Sequence, residues 1–142
     1  MRILTHELTL TTSAPIEVVD ITDAVRQWME SQPVRHGLLT VSSPHTTARI
    51  TLNERDPALQ RDMVTFLERL APKAGDYAHN VHTVDGRDNA HAHLLGLFIN
   101  ASESLAVADG ALAMGDWQSL FFVELDGPRT RRTVQLHLLG EA

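Results

Sequence analysis

Two hydrophobic periods share this chain, and the order in which they occur limits its possible folds more than any other feature. Apolar residues at helical spacing occupy two long segments, 21–31 and 57–70, which predict helices. Most other apolar segments are short, and several alternate with polar residues as half-buried strands do. They predict strands over 3–11, 37–43, 46–52, 97–99, 104–108, 111–114, 118–125 and 132–138. Because strands and helices do not alternate regularly, the pattern predicts the α+β class, with a mixed or antiparallel β-sandwich-like sheet core and two main flanking helices.

Local signals mark the ends and the apolar faces of both helices. Asp20 precedes the first helix as a cap, and Ile21, Val25 and Trp28 form its apolar stripe. Pro57 suits the first turn of the second helix. The apolar face of that helix consists of Leu59, Met63, Phe66, Leu67 and Leu70. The segment 72–90 is the longest expected loop, and a short helical or irregular piece over 91–96 follows it.

Size and composition predict a single folded domain over residues 1–142. Apolar residues make up 43% of the chain and charged residues 21%, a balance typical of globular proteins. The net charge of −6 argues against general binding to nucleic acid or to a membrane surface. No secretory signal and no apolar run of membrane-spanning length is recognisable, so we expect a cytoplasmic protein. Cysteine is absent, which leaves His, Asp, Glu and Asn as possible metal ligands.

Four histidines lie within the fifteen residues 79–93, and such a density indicates a metal site. Imidazole is the commonest metal ligand near neutral pH, and a site without thiolates needs two or three imidazoles, often with a carboxylate. The candidates are His45, His79, His82, His91 and His93, with Asp85 and Asp88 as carboxylate partners. The alternative is a set of solvated loop histidines, because the spacing matches no compact zinc motif.

His91 and His93 are two residues apart, and the local backbone decides whether they share a task. On a helix the two side chains diverge by about 200°, whereas on a strand both face the same side. We expect a helical turn capped by Asp88 or Asn89, with His93 directed to the metal. His91 then faces a carboxylate, a neighbouring subunit or the substrate. The extended alternative makes both residues ligands.

A cluster of arginines near residue 130 indicates an anion site. Arg129 and Arg131 flank Thr130, and guanidinium groups bind phosphate through paired hydrogen bonds. Arg132 shares the apolar face of the last strand, so it requires an anion, a carboxylate or solvent nearby. The alternative for any one of these arginines is a solvated strand entrance.

Two further pairs of residues are candidates for a pocket. Asn53-Glu54 follows a strand and supplies an amide and a carboxylate, although a polar turn before the second helix also explains it. Trp117-Gln118 opens a strand after Gly115, as a pocket wall with an amide or simply as a core tryptophan.

Several short motifs, in their order along the chain, together resemble one protein family. The fragments are His45-Thr46-Thr47, Leu52-Asn53-Glu54, Asp56-Pro57, Tyr77-x-His79, Asp88-Asn89-Ala90-His91-Ala92-His93-Leu94, Asp109-Gly110, Gly115-x-Trp117-Gln118, Gly127-Pro128-Arg129 and Gly140-Glu141. Each fragment is weak alone, but their order and spacing resemble the YjbQ-like family, whose members are often labelled secondary thiamine-phosphate synthase. The resemblance covers nearly the whole chain.

The resemblance implies a compact α+β subunit that forms a homotrimer, with sites at or near subunit contacts. It implies a divalent metal site at His45, His79 and His93, near an anion site, and zinc is favoured for an imidazole-rich site. The synthase label implies the joining of a pyrimidine diphosphate to a thiazole phosphate with release of pyrophosphate. We therefore expect a metal-binding enzyme that acts on a small phosphate-bearing substrate, with thiamine-phosphate synthase as a weak side activity.

Two hypotheses about the site follow. In the first, an enzyme uses Glu54 or Asp88 as a catalytic carboxylate, or as support for a metal ligand. Its candidates for contact with substrate or anion are Asn89, His91, Trp117, Gln118, Arg129 and Arg131. In the second, the chain is a non-catalytic metal- or anion-binding subunit of a trimer, whose histidines fix the loop 72–90 or a subunit contact. An open pocket containing an arginine favours the first, and a closed site with four protein ligands favours the second.

Overall fold

Eight strands and four helices make up the computed structural model of this chain, which describes residues 1–142. The strands are β1 (Arg2–Leu10), β2 (Glu17–Asp20), β3 (His36–Ser42), β4 (Ala48–Glu54), β5 (Ser102–Ala108), β6 (Ala111–Leu112), β7 (Gln118–Glu124) and β8 (Arg132–Glu141). The helices are α1 (Thr22–Glu30), α2 (Pro57–Leu70), α3 (Ala78–Val81) and α4 (Ala90–Leu95). None of these helices combines the length and the hydropathy needed to cross a membrane.

The strands form two sheets in which every pairing is antiparallel. The first sheet has the order β1-β8-β3-β5-β6, and the second has the order β2-β7-β4. In the first sheet β1 pairs only with β8, from Arg2 opposite Gly140 to Leu10 opposite Arg132. In the second sheet β7 is the central strand. The predicted α+β class with a sandwich-like sheet core is therefore confirmed.

The main core lies between the inner faces of the two sheets, with α1 packed against it. Alternate residues of each strand point inward, because side chains in a strand change face at every step. The buried residues of this core are Ile21, Val25, Met29, Val34, Leu39, Val41, Ala48, Ile50, Leu105, Val107, Leu120, Phe122, Val134, Leu136 and Leu138. Gly37 permits close strand approach here, since a Cβ would meet the carbonyl oxygen of Leu139 at 2.1 Å.

A second, smaller apolar cluster packs α2 and α4 onto the outer face of the three-stranded sheet. Its buried members are Ile16, Leu67, Ala71, Ala92, Leu95, Val123 and Leu125. On the predicted apolar face of α2 only Leu67 is buried, whereas Phe66 is 62% exposed. The side chain of Asp56 caps α2 by accepting from the backbone N–H groups of Ala58 and Leu59.

Three parts of the secondary-structure prediction are wrong, and the first is the expected loop 72–90, which contains the short helix α3. Residues 97–99 form no strand, because the backbone N–H groups of Leu97 and Phe98 bond to the carbonyls of Leu94 and Leu95 and continue the winding of α4. Three successive apolar residues carry no period, so their sequence did not separate the two alternatives. Strand β2 was missed, since Glu-Val-Val-Asp is short and does not alternate.

Candidate functional site

Asp126 is the centre of the polar network that dominates one end of the molecule. It lies in the segment 125–131, which leaves the second sheet after Glu124 and enters the first sheet at Arg132. The residue is 5% exposed. Its Oδ2 accepts hydrogen bonds from Arg87 Nε at 2.9 Å, Asn89 Nδ2 at 3.0 Å and Arg129 Nη2 at 2.8 Å.

The electrostatics of this cluster favour a negatively charged ligand. Burial by itself would raise the pKa of Asp126, but hydrogen bonds from Arg87, Asn89 and Arg129 outweigh it and hold that pKa well below its usual range. The carboxylate is therefore ionised at neutral pH. Two guanidinium groups share this one carboxylate, which leaves the cluster with a single excess positive charge.

Asn89 connects Asp126 to His79 and thereby fixes which ring nitrogen of His79 carries the proton. Its Nδ2 donates to Asp126, so its Oδ1 must face the other way, and that oxygen lies 3.0 Å from Nε2 of His79. An amide oxygen only accepts, so neutral His79 must carry its proton on Nε2. Nδ1 of His79 is thereby left with a lone pair, which is the form that binds a metal ion.

His79 and His93 meet in a cleft between α3 and α4. Their ring centroids are 5.0 Å apart and their planes are nearly perpendicular, at 78°. The cleft has a volume of about 370 Å³ and is lined by Asp76, Tyr77, Ala78, His79, Ala90, His93 and Leu94. This histidine cleft brings together two of the three residues predicted to bind metal.

The helical conformation of α4 separates His91 from His93, as predicted. His91 is 3% exposed, and its Nδ1 has no hydrogen-bond partner. Burial and then Lys73 lower the pKa of His91, against the influence of Asp126. The expected side-chain cap of α4 is absent. Asn89 is at the N-cap position, but its side chain hydrogen-bonds to His79 and Asp126 instead. Asp88 is exposed and makes no side-chain hydrogen bond.

A second cleft, of about 300 Å³, lies beside the first and is lined by polar groups. Its lining residues are Pro44, His45, Thr46, Thr47, Asp85, Asn89, Arg129 and Arg132. Asn89 lines this polar cleft and also hydrogen-bonds to His79, which lines the histidine cleft, so one residue connects the two. Guanidinium, hydroxyl and imidazole donors outnumber the one carboxylate here, and such a lining suits an oxyanion.

His45 is held in this polar cleft with one ring nitrogen already engaged. The backbone N–H of Thr133 donates to its Nε2 at 3.0 Å. Burial, and then the nearby Arg132, lower the pKa of His45 below its usual value, which favours the neutral ring near pH 7. Its proton is then on Nδ1, which makes His45 a hydrogen-bond donor in this arrangement rather than a free ligand.

A buried ion pair connects the two sheets below the polar cleft. Arg132 of β8 is 3% exposed, Glu124 of β7 is fully buried, and the Nε of the arginine lies 2.9 Å from Oε1 of the glutamate. Arg132 also donates to Oγ1 of Thr47 at 2.9 Å, and Thr12 donates to Glu124 at 2.7 Å. Burial would raise the pKa of Glu124, but the hydrogen bonds from Arg132 and Thr12 lower it below its usual value.

Several predicted site residues lie away from both clefts within one chain. Glu54 pairs with Gln118 at one end of the β4–β7 ladder, and Glu124 pairs with Ala48 at the other. The six intervening steps, at about 3.3 Å each, separate these ends by roughly 20 Å. Trp117 is 77% exposed beside Gln118. Arg131 is exposed as well, unlike its neighbours Arg129 and Arg132.

The donor set fits a metal ion in part. His79 presents a lone pair, His93 lies beside it, and Asp76 lines the same cleft, which together are ligands acceptable to zinc and its neighbours. Within one chain, however, no three His, Asp or Glu side chains converge in metal-binding geometry. His45 belongs to the polar cleft and not to the histidine pair.

Sequence reasoning missed Asp126, Arg87 and Glu124. Asp126 precedes Gly127-Pro128, and this sequence predicts only a turn. Arg87 lies within the predicted loop 72–90, where nothing in the sequence marked it as a site residue. Glu124 did leave a signal. An arginine on the apolar face of the last strand required an anion, a carboxylate or solvent nearby, and the structure shows the carboxylate, that of Glu124.

The chain is similar over most of its length to one family of proteins. A model of that family, described as UPF0047 protein YjbQ-like, matches residues 6–141. A UPF0047 protein of Methanothermobacter thermautotrophicus is 41% identical over 132 residues, which cover 93% of this chain and 90% of that protein. The UPF0047 protein YugU of Bacillus subtilis is 32% identical over 134 residues, covering 94% and 97%.

Solved structures agree with this similarity. The crystal structure of a YbjQ-like protein of unknown function from Sulfolobus solfataricus P2 matches with a TM-score of 0.93 and 35% identity, covering 99% of both chains. A hypothetical protein of Aeropyrum pernix K1 matches with a TM-score of 0.90 and 41% identity, covering 97% of this chain and 99% of that one. These likenesses extend to fold and family, whereas metal, substrate and synthase activity stay proposals.

Proposed function

We propose a function from the premise that this chain belongs to the UPF0047 family of YjbQ-like proteins. In this proposal the chain is a metal-dependent transferase or hydrolase that acts on a small phosphate-bearing molecule. Thiamine-phosphate synthase activity is a weak side reaction of the same site. The observation that carries the proposal is the hydrogen-bonded series from Asp126 through Asn89 to His79, which leaves a lone pair beside His93.

His79 and His93 are the proposed metal ligands. A catalytic zinc site takes three protein ligands and keeps one position open, so the pair requires a further ligand. Asp76 in the same cleft is one source, and a neighbouring copy of the chain is another. When bound, such an ion polarises the oxygens of a phosphate group. His45 stays on the anion side in this proposal, because its Nε2 is engaged by Thr133.

The polar cleft is the proposed site of the phosphate group. Arg129 makes no intramolecular hydrogen bond through Nη1, and His45 offers Nδ1–H. Both residues line the cleft, together with Thr46. Donors preset around the position of an oxyanion stabilise the charge that develops during phosphoryl or pyrophosphate transfer.

The proposed assembly is a cytoplasmic homotrimer with its sites at or near subunit contacts. Two features support the assembly. The exposed residues Leu97 and Phe98 follow directly on α4, which carries His93. Trp117 and Gln118, predicted to contact the substrate, lie roughly 20 Å from the opposite end of the β4–β7 ladder, where Thr47 lines the polar cleft, and are available to the clefts of another copy.

Elemental analysis of untagged protein tests the metal half of the proposal. We expect bound zinc after exposure to a slight excess of the ion and dialysis, and its loss in His79→Ala and in His93→Ala. His6→Ala is the matched control, because that imidazole stacks on Trp28 away from both clefts. His45→Ala should retain the metal. Loss of zinc in His45→Ala would return that residue to the ligand set, and full occupancy in both cleft variants would refute the proposal.

A substrate screen tests the enzymatic half. The panel contains phosphate monoesters, diphosphates and the pyrimidine diphosphate with thiazole phosphate pair, each assayed for released phosphate or pyrophosphate with and without a chelator. We expect turnover that the chelator abolishes and that zinc restores. Equal turnover with and without the chelator would exclude a metal-dependent reaction.

A non-catalytic metal- or anion-binding subunit is the second candidate. It is favoured by the positions of the predicted catalytic carboxylates, since Glu54 lies at the far end of the sheet and Asp88 is exposed without a hydrogen-bond partner. This candidate predicts zinc and phosphate binding without turnover in the same screen.

A further inference from the structure

Asp126 is the one side chain that hydrogen-bonds both to Asn89, which contacts His79 in the histidine cleft, and to Arg129, which lines the polar cleft. Its carboxylate leads through Asn89 to the histidine cleft and through Arg129 directly to the polar cleft. Both oxygens are occupied, since Arg87 donates to Oδ1 from Nη2 at 3.0 Å and to Oδ2 from Nε at 2.9 Å. Every donor in this arrangement has a defined place around a single buried group.

For the histidine cleft, Asp126 decides which nitrogen of His79 is free. The amide of Asn89 presents either its oxygen or its NH2 group to a neighbour, and the two are nearly equal in shape. A carboxylate accepts but does not donate, so Asp126 selects the NH2 group and turns the oxygen of Asn89 toward His79. Without that carboxylate the amide is free to reverse, and His79 is free to carry its proton on either nitrogen.

For the polar cleft, Asp126 fixes the direction of a guanidinium group. Arg129 donates from Nη2 to the carboxylate at 2.8 Å and from Nε to the backbone oxygen of the same residue at 3.0 Å. Two bonds to one residue hold the planar group in a single orientation and leave Nη1 for a ligand. A neutral side chain at position 126 loses the charge-assisted part of this hold.

We propose that Asp126 is a positioning residue that serves both clefts at once. Through Asn89 it fixes the free nitrogen of His79 for a metal ion, and through Arg129 it fixes a guanidinium group for the oxyanion of a phosphate-bearing ligand. This inference rests on the proposed function, because it says which residue orients the metal ligand His79 and the anion-binding Arg129 of that site.

Three variants separate the connection to the histidine cleft, through Asn89, from the connection to the polar cleft, through Arg129. Asp126→Asn should weaken the binding of both zinc and inorganic phosphate, each measured by titration calorimetry. Arg129→Gln should weaken phosphate alone, and Asn89→Leu should weaken zinc more than phosphate, because Asn89 contacts His79 directly and only borders the polar cleft. Supporting groups of this kind typically change metal affinity by about 10–100-fold. Asp109→Asn is the matched control, because Asp109 also accepts a bond from an arginine, Arg35, but on the exposed surface.

The protonation of His79 gives a readout that a general loss of structure would not produce. In metal-free protein at about pH 8, where imidazole is neutral, nitrogen NMR distinguishes the two tautomers. The wild type should hold its proton on Nε2, and Asp126→Asn and Asn89→Leu should show a mixture. Asp126→Glu should retain the Nε2–H form, since a carboxylate still accepts from the amide of Asn89.

The outcomes are decisive in each case. Wild-type affinities for both ligands in a folded Asp126→Asn protein would overturn the inference, as would an unchanged tautomer in Asn89→Leu. If Asp126→Asn does not fold, the tautomer in Asn89→Leu decides the matter, with Asp126→Glu as the conservative comparison. If wild-type protein binds neither zinc nor phosphate, the proposed function fails, whereas the tautomer measurement in metal-free protein still tests the positioning role.

Discussion

Glu124 and Arg132 place opposite charges in the interior, at the point where the two sheets come closest to the polar cleft. Transfer of either charge from water costs several kcal/mol, and only the partner's charge and a full set of hydrogen bonds offset that cost. Here the set is nearly complete, because Thr12 and Thr47 supply further partners. The pair is therefore tolerated as a unit, and each residue makes the other necessary.

Glu124→Gln should destabilise the protein by about 3–5 kcal/mol, since it leaves a buried guanidinium without its counter-charge. Unfolding in urea, followed by circular dichroism, measures this loss. Asp109→Asn is a suitable control because its arginine partner is exposed, and surface pairs contribute about 0–1 kcal/mol. The double variant Glu124→Leu with Arg132→Met should recover much of the loss. Equal stability of Glu124→Gln and the wild type would show that Arg132 has another counter-charge.

At the scale of elements, the predictable parts were those with a clear period. α1 and α2 were found almost to the residue, as was the helical turn that separates His91 from His93. Leu97-Phe98-Ile99 and the strand Glu17–Asp20 were not, because three or four residues are too few to show a period. Residue type alone was enough to predict the histidines of the site. Asp126 did not, because its role depends on partners 37 and 39 residues away.

The apolar face of α2 contains two neighbours that the sequence treats alike and the fold does not. Leu67 is buried against the three-stranded sheet, whereas Phe66 is 62% exposed. Leu67→Ala should therefore cost about 2–5 kcal/mol of unfolding free energy. Phe66→Ala should change it by less than about 0.5 kcal/mol, as most surface substitutions do. Chemical denaturation at low protein concentration compares them. Equal losses would mean that another surface covers Phe66.

At the scale of the whole molecule, both sheets depend on strands that lie late in the sequence. β7 is the centre of one sheet, and β8 stands between β1 and β3 in the other. β1 has no other partner, and its pairing joins residues more than a hundred positions apart. The two sheets are also connected through Glu124 and Arg132, at the join between β7 and β8.

A fragment of residues 1–131 should consequently fail to fold. It retains seven of the eight strands, yet β1 loses its only neighbour and Glu124 loses its counter-charge. We expect a urea unfolding curve without a cooperative transition, together with rapid digestion by a nonspecific protease. The intact chain under identical conditions is the comparison. A cooperative transition in the fragment would show that the three-stranded sheet and its helices form an independent unit.

The late position of β7 and β8 also orders events during biosynthesis. A ribosome adds roughly 5–20 residues per second, so the histidines of α3 and α4 emerge seconds before Asp126 does. Until then the nascent chain has no closed sheet and nothing to choose between the nitrogens of His79. We therefore expect the five-stranded sheet to be completed only at the end of synthesis or after it. During that interval β1 and β4 lack the strands with which they pair in the finished fold.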